Sequence, residues 1–459
     1  MTPIALSKTG PTSWRQRSVP LATSLLACAL LACAVSTAAS PPAVPSRFGV
    51  DAPELAHLGP SGVGVRTLEF VHRGQPAVLA YDAVHAMAPL RDRTLTVDVW
   101  YPAATTPESA RIVYKATLPG EGETGPVAFT IPGLAARNAR PLAGAFPLVI
   151  VSHGYSNATV AMSWLTENLA SKGYVVAAIR HEDPSITDPQ GFPEPLLRRP
   201  LDLAFVAGEL RRELGAQHLI DPDRVALVGY SMGGYGVLTA AGATLDPKGP
   251  PNSLVPGGLL GPYVRGAPEQ SAIAIPGVRA VVALAPAGGG KLAAWGAEGL
   301  RAITAPLLLI AGDDDRTVDY RSGARAIFDM ATSTHRYLLT FKGGGHAIGL
   351  NPVPDAMRGR LWDLEWFEDP VWRKDRITAI NAHFITAFLD LYVKGDQSRA
   401  AYLEVPVSLS AAGEWPASKS FAYDAYSPAT SGITVWKGFQ RNHASGLELL
   451  EAPAAGPAH

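Results

Sequence analysis

Two runs of consecutive apolar residues, Leu148-Val149-Ile150-Val151 and Leu307-Leu308-Leu309-Ile310, constrain the fold more than any other feature of the chain. A strand with only one buried face alternates apolar and polar residues. An unbroken run suits a strand of a parallel sheet, which is covered on both faces. The same texture recurs, giving expected strands over 94–101, 147–152, 174–180, 224–229, 279–284, 306–312 and 336–341. Helical patterns lie between them, over 160–171, 201–214, 232–243, 321–332 and 376–393. In 201–214, Leu203, Val206, Leu210 and Leu214 recur at three- and four-residue steps and form one apolar face. From about Arg93 onward this alternation predicts an α/β class with a doubly wound, mostly parallel sheet flanked by helices.

Composition narrows the function. Charged residues are 17% and the net charge is −1, so no basic surface marks a nucleic-acid binder. The 45 glycines and 40 prolines imply many turns, concentrated in a surface insertion over 245–275. An aromatic stretch over 349–372 carries Trp362, Trp366, Phe367 and Trp372, which either line a binding site or simply pack, the commoner use of aromatics at this density. Only two cysteines occur, Cys28 and Cys33, which excludes a disulfide scaffold and a multi-cysteine zinc site.

Both cysteines fall in a leader. Lys8, Arg15 and Arg17 precede an apolar run over 19–35 and then Ser36-Thr37-Ala38-Ala39, the pattern of a signal peptide. The run is shorter than the ~20 apolar residues that span a bilayer. The expectation is export to the periplasm or the medium after loss of residues 1–39. Leu25-Leu26-Ala27-Cys28 and Leu30-Leu31-Ala32-Cys33 each resemble a bacterial lipobox. In that alternative a lipidated cysteine attaches the protein to a membrane, with the Ala/Ser/Pro-rich stretch over 34–46 as tether. A single large α/β domain is expected over 40–399, and a C-terminal extension packed on it over 400–459.

The chemical signal is Gly229-Tyr230-Ser231-Met232-Gly233, a G-x-S-x-G turn between an apolar strand and a helix. A serine held on so sharp a turn leaves no room for side chains two residues before or after it. Met232 opens a helix whose free N–H groups favour developing negative charge. The bland alternative is an inert serine on a glycine-rich turn; the strand-to-helix context argues against it.

A serine hydroxyl needs a base, and in this arrangement the chain order is serine, acid, histidine. Downstream, the strand 306–312 ends in Asp313, Asp314 and Asp315, three competing acids. Those not used would cap the helix near Tyr320 or be solvated. The strand 336–341 leads into Gly343-Gly344-Gly345-His346, a flexible loop that brings His346 to the serine. His335, His383, His443 and His459 lack such a loop, and His57, His72 and His85 precede the expected sheet. Upstream, the strand 147–152 ends in His153-Gly154-Tyr155, where a second oxyanion donor is expected. The backbone N–H groups of Tyr155 and Met232 are the expected pair, with the Tyr155 ring either walling the acyl pocket or simply packed.

At these residues the chain resembles the α/β-hydrolases. It is similar to bacterial dienelactone-hydrolase-like proteins, related to plasma-type platelet-activating-factor acetylhydrolases and to polyester hydrolases. The resemblance is carried by residues 93–102, 151–154, 176–183, 229–233, 312–318 and 388–395, and it covers about residues 90–395. It implies a serine esterase. The match of Gly312-Asp313-Asp314-Asp315-Arg316-Thr317-Val318 to G-x-x-D-x-x-V selects Asp315 as the acid. True dienelactone hydrolases use a cysteine nucleophile, and no cysteine remains beyond the leader. His181 and Asp183 match a pattern of the family at a strand end, where they would serve as rim or loop-structuring residues.

The expectation is a serine hydrolase that cleaves carboxylic esters through Ser231, His346 and Asp315 and an acyl-enzyme. It needs no cofactor or metal, and its partner is a small-molecule or polymeric ester. Two alternatives stand beside it. One is a serine peptidase, because Gly-Tyr-Ser-Met-Gly-Gly also resembles prolyl-oligopeptidase-like enzymes, though no propeller repeats precede it. The other is a non-catalytic binding protein on a hydrolase fold.

Overall fold

The structure is a computed structural model that describes residues 48–106, 109–120, 125–413, 436–440 and 442–455. The leader with Cys28 and Cys33 lies outside the described residues. Four strands come first: β1 (Gly62–Pro76), β2 (Leu90–Ala103), β3 (Arg111–Leu118) and β4 (Val127–Arg137). Among the described residues no α-helix separates them. The alternation expected from Arg93 therefore begins later, at β5 (Phe146–Ser152). It runs through α1 (Ser163–Ser171), β6 (Val175–Arg180), α2 (Pro193–Ala216), β7 (Ile220–Tyr230) and α3 (Met232–Ala240). The insertion holds one short helix, α4 (Pro250–Leu254), and turns of 3-10 helix. Next come β8 (Val278–Leu284), α5 (Gly296–Arg301), β9 (Leu307–Gly312), α6 (Ala326–Met330) and β10 (Arg336–Phe341). The chain ends in α7 (Leu361–Glu365), α8 (Lys374–Tyr392) and β11 (Leu447–Ala452).

The eleven strands of the described residues share one sheet, in the order β11-β10-β9-β8-β7-β5-β6-β2-β1-β4-β3. β6, β5, β7, β8, β9 and β10 are mutually parallel; β2 joins β6 antiparallel and β11 joins β10 antiparallel. This is the α/β-hydrolase architecture. β5 pairs with both β6 and β7, so the chain winds outward from it in opposite directions. Ligands bind at such a switch point, beyond the carboxyl ends of the strands.

The apolar runs divide between two cores. Val149, Val151, Val228, Leu308 and Ile310 pack with α1 and α8 on one face. Leu148, Ile150, Leu227, Leu307 and Leu309 pack with α2, α3, α5 and α6 on the other. Among the described residues, no helix is long and apolar enough to cross a membrane.

Helix α2 starts eight residues before the expected Leu201 and carries Pro200 in its interior. A proline there donates no N–H to the carbonyl four residues earlier. That carbonyl, Leu196 O, instead accepts the Tyr235 hydroxyl from α3 at 2.8 Å. The helix expected over 321–332 is broken: Gly323 lies at φ −95°, ψ −110°, and regular helix begins only with α6. Beyond α8, Trp436 and Phe439 are buried against Phe384, with ring centroids 6.0 and 5.8 Å away.

Candidate active site

Ser231 closes the turn between β7 and α3 at φ 53°, ψ −116°, a conformation that non-glycine residues rarely adopt. Two backbone bonds hold it there: Ser231 N–H donates to Leu284 O, and Ser231 O accepts from Ala287 N–H, each at 2.9 Å. The flanking glycines are sterically required. A Cβ at Gly229 would lie 2.2 Å from Gly233 O, and one at Gly233 would lie 1.9 Å from Ser152 O.

His346 Nε2 is 3.0 Å from Ser231 Oγ, and His346 Nδ1 is 2.8 Å from Asp315 Oδ2. Asp315 is buried, and its other oxygen accepts the N–H groups of Thr317 and Val318 at 2.9 and 3.1 Å. The carboxylate thus faces the ring with one fixed oxygen. The imidazole donates from Nδ1 and presents the Nε2 lone pair to the serine hydroxyl.

Geometry separates the three aspartates. Asp313 accepts the Gly343 N–H at 2.5 Å and pairs with Lys342 at 2.8 Å, bracing the root of the histidine loop. Asp314 pairs with exposed Arg316. Neither caps the following turn; Asp319 does, accepting the Ser322 N–H at 2.8 Å.

Sequence reasoning missed the anchors of the histidine loop. Asp369 Oδ2 accepts the Gly345 N–H at 2.6 Å, and buried Lys374 donates to Ala347 O. The Tyr230 hydroxyl donates to His346 O at 3.2 Å. Burial raises the Tyr230 phenol, keeping it a neutral donor, and lowers the Lys374 ammonium to about 8. A lysine at the buried start of a helix was the available signal. The helix expected from Arg376 onward leaves that lysine outside.

Opposite the histidine, Gly154 packs on the elbow: a Cβ there would lie 3.1 Å from the Tyr230 ring and 3.5 Å from Ser231 Cβ. The N–H groups of Tyr155 and Met232 find no acceptor among the described residues. The Tyr155 ring both walls the cleft and packs edge-on against Phe192, 5.7 Å between centroids. Burial, then Asp183, raises its phenol to about 12.

Ser231, His346, Tyr155 and Met232 border one cleft of about 850 Å³. Phe192, Leu292, Trp362 and Trp366 line it, with Lys291, Arg316 and Glu365 among its charged groups. Of the aromatic stretch, Trp362 and Trp366 therefore face the cleft. Phe367 is buried against Phe129, and Trp372 against Phe341. Among the described residues no group of three or more His, Cys, Asp or Glu is placed to hold a metal ion.

Fold and elbow define the class as an α/β-hydrolase. A family model described as PET hydrolase-like matches residues 139–248, from the approach to β5 through the elbow and past the end of α3. The solved structure of a ferulic acid esterase from Streptomyces cinnamoneus aligns with a TM-score of 0.46 and 20% identity, over 72% of this chain and 90% of that one. No curated protein matches the chain. The matched segment holds the strand, turn and helix that carry Ser231.

Proposed function

We propose that Ser231, His346 and Asp315 act as a triad that cleaves carboxylic esters through an acyl-enzyme. The carrying observation is the continuous chain Asp315 Oδ2···Nδ1 His346 Nε2···Oγ Ser231, opening on the aromatic-lined cleft. Ser231 Oγ attacks the acyl carbon while its proton passes to His346 Nε2. The carbonyl oxygen takes the negative charge, held by the N–H groups of Tyr155 and Met232. His346 then protonates the leaving alkoxide as the C–O bond breaks. Water repeats the sequence on the acyl-serine and releases the acid.

The rings of Phe192, Trp362 and Trp366 favour esters with a bulky apolar or aromatic part. The similarity of residues 139–248 to PET hydrolases puts aromatic polyesters beside small esters as substrates to test. The basic, apolar and small-residue sequence of the leader supports export, with Cys28 or Cys33 as the site if a lipid is attached.

A p-nitrophenyl ester series of rising acyl length, run with the wild type and Ser231→Ala, tests this reading. Activity is expected in the wild type and lost in the variant; equal activity in both overturns the triad. A peptide-amide panel separates esterase from peptidase.

A further inference from the structure

Beneath the oxyanion loop lies a buried polar cluster that this reaction leaves unused. Ser152 Oγ is 2.9 Å from His181 Nε2, and His181 Nδ1 is 3.4 Å from Asp202 Oδ2. Serine, histidine and aspartate recur here in the order of a triad. All three are buried, however, and none lines the cleft. Asp202 is further engaged by Arg93, at 3.1 and 3.2 Å. The cluster supports something other than itself.

What it supports is Arg199, a fully buried guanidinium on α2. Its Nη1 donates to Ser152 Oγ at 3.1 Å and to His153 O. Its Nη2 donates to Gly154 O at 3.0 Å and pairs with Asp183 Oδ2; its Nε donates to Asp183 Oδ1 at 3.3 Å. Asp183 in turn accepts the Ser156 N–H at 2.9 Å. Gly154 O receives a second donor, His153 Nδ1, at 2.7 Å. The tautomer of His153 follows, because its Nε2 accepts the His181 N–H at 3.2 Å and so carries no proton.

In a trans peptide the C=O and the next N–H point to opposite edges. Two donors draw the Gly154 carbonyl into the cluster, so the Tyr155 N–H points the other way, from a backbone packed on Ser231. Nothing local enforces this orientation. Glycine tolerates both signs of φ, so the loop at Gly154 is free to rotate unless its carbonyls are held.

We propose that Arg199 and Asp183 are positioning residues of the oxyanion hole. They hold the His153 and Gly154 carbonyls away from the cleft and so keep the Tyr155 N–H aimed at the forming oxyanion. The inference rests on the reading of Ser231 as nucleophile. It gives Asp183 and His181 a role: Asp183 neutralises and orients the guanidinium, and His181 fixes the His153 ring through its backbone N–H.

The test compares wild type, Arg199→Lys, Asp183→Asn and Ser231→Ala of the full chain on p-nitrophenyl butyrate, with active sites counted by a phosphonate titrant. A second readout is the inhibition constant of an alkyl trifluoromethyl ketone. Ser231 Oγ adds to the ketone carbon, its proton passes to His346, and the oxygen becomes an oxyanion in the hole. For Arg199→Lys and Asp183→Asn, kcat per titrated site is expected to fall about 10- to 100-fold. KM should stay within about threefold, and the inhibition constant should rise by the same factor as kcat falls. Wild-type kcat per site in a folded variant, or a fall in kcat with no matching rise in the inhibition constant, overturns the proposal. Asp183 lies in the loop after β6, so Asp183→Asn decides the matter if Arg199→Lys does not fold. Activity surviving in Ser231→Ala counts against the nucleophile, a result distinct from any pattern at Arg199.

Discussion

Asp369 accepts the N–H of Gly345 at 2.6 Å, one residue before His346, so the histidine is held in place from a segment that follows it in the chain. The same carboxylate accepts the N–H groups of Val371 and Trp372 at 2.9 and 2.7 Å through its other oxygen. Asp369→Ala removes a charged acceptor, a contact of about 1.5–3 kcal/mol. The expected result is a fall of about tenfold in kcat/KM, with Asp369→Asn in between because its amide oxygen still accepts. Steady-state kinetics on a short ester checks this.

The three members of the hydrogen-bonded chain should lose activity as a unit. Ser231→Ala and His346→Ala are each expected to lower kcat by about 10⁴-fold or more, and the double variant by little beyond the worse single one. Asp315→Asn should cost about 10⁴-fold, because a side-chain amide N–H facing Nδ1 favours the wrong tautomer. Multiplicative losses in the double variant would argue that the two residues act separately.

Trp362 and Trp366 stand in the cleft with their rings 6.2 Å apart. Replacing either by alanine should raise KM about tenfold for long-chain or aromatic esters and leave p-nitrophenyl acetate nearly unchanged. A uniform effect across the series would mean that the rings support the loop rather than the substrate.

Two lysines, Lys374 buried and Lys172 half-buried, set a pH dependence. Burial lowers Lys172 to about 7 and Lys374 to about 8, against an ordinary value of 10.5. Between the lowered values and the ordinary one, the unfolded chain holds more protons than the folded one, so stability rises with pH across that window. Tyr230 and Tyr235, raised by burial, act in the opposite sense above about pH 10, where the unfolded phenols ionise. The melting temperature should therefore climb from about pH 7 towards a maximum near about pH 9–10. Lys172→Met should flatten the lower part of the climb, and an unchanged slope in that variant would refute the assignment.

Two glycine substitutions should diverge. Gly208 lies inside α2 with no atom within 4 Å of where a Cβ would stand. Gly208→Ala is therefore expected to stabilise by about 0.5–1 kcal/mol with unchanged kcat. Gly233→Ala drives a Cβ into Ser152 O and should abolish activity and lower the melting temperature. Thermal melts and ester assays on both variants read the contrast.

What can be read in advance follows from burial on both faces. β5, β8 and β9 carry continuous apolar runs, β10 the shorter Tyr337-Leu338-Leu339, and all four match their expected spans to within a residue. β1, β3 and β4 are not legible in this way. They are antiparallel to a neighbour and partly exposed, so their apolar residues alternate with Arg, Lys, Thr and Glu. His72, placed ahead of the sheet by its sequence position, lies within β1 and stacks on Phe205 at 4.1 Å. Among Asp313, Asp314 and Asp315, spacing alone decides nothing, because adjacent residues at a strand end point in different directions. Arg199 is hidden when α2 is begun after Pro200. Set beside Leu196 and Leu203, it is a charge in the apolar stripe of a helix, a legible anomaly once the helix is drawn at full length.

The proline in α2 has a consequence for how this region tolerates change. Its missing N–H leaves Leu196 O to the Tyr235 hydroxyl, so one residue on α2 and one on α3 are matched like a plug and socket. Restoring a donor at position 200 makes the hydroxyl redundant, and removing the hydroxyl leaves a buried carbonyl bare. Tyr235→Phe alone therefore carries a penalty that the paired change, Pro200→Ala with Tyr235→Phe, relieves. Phenylalanine at 235 is expected only where position 200 is not proline.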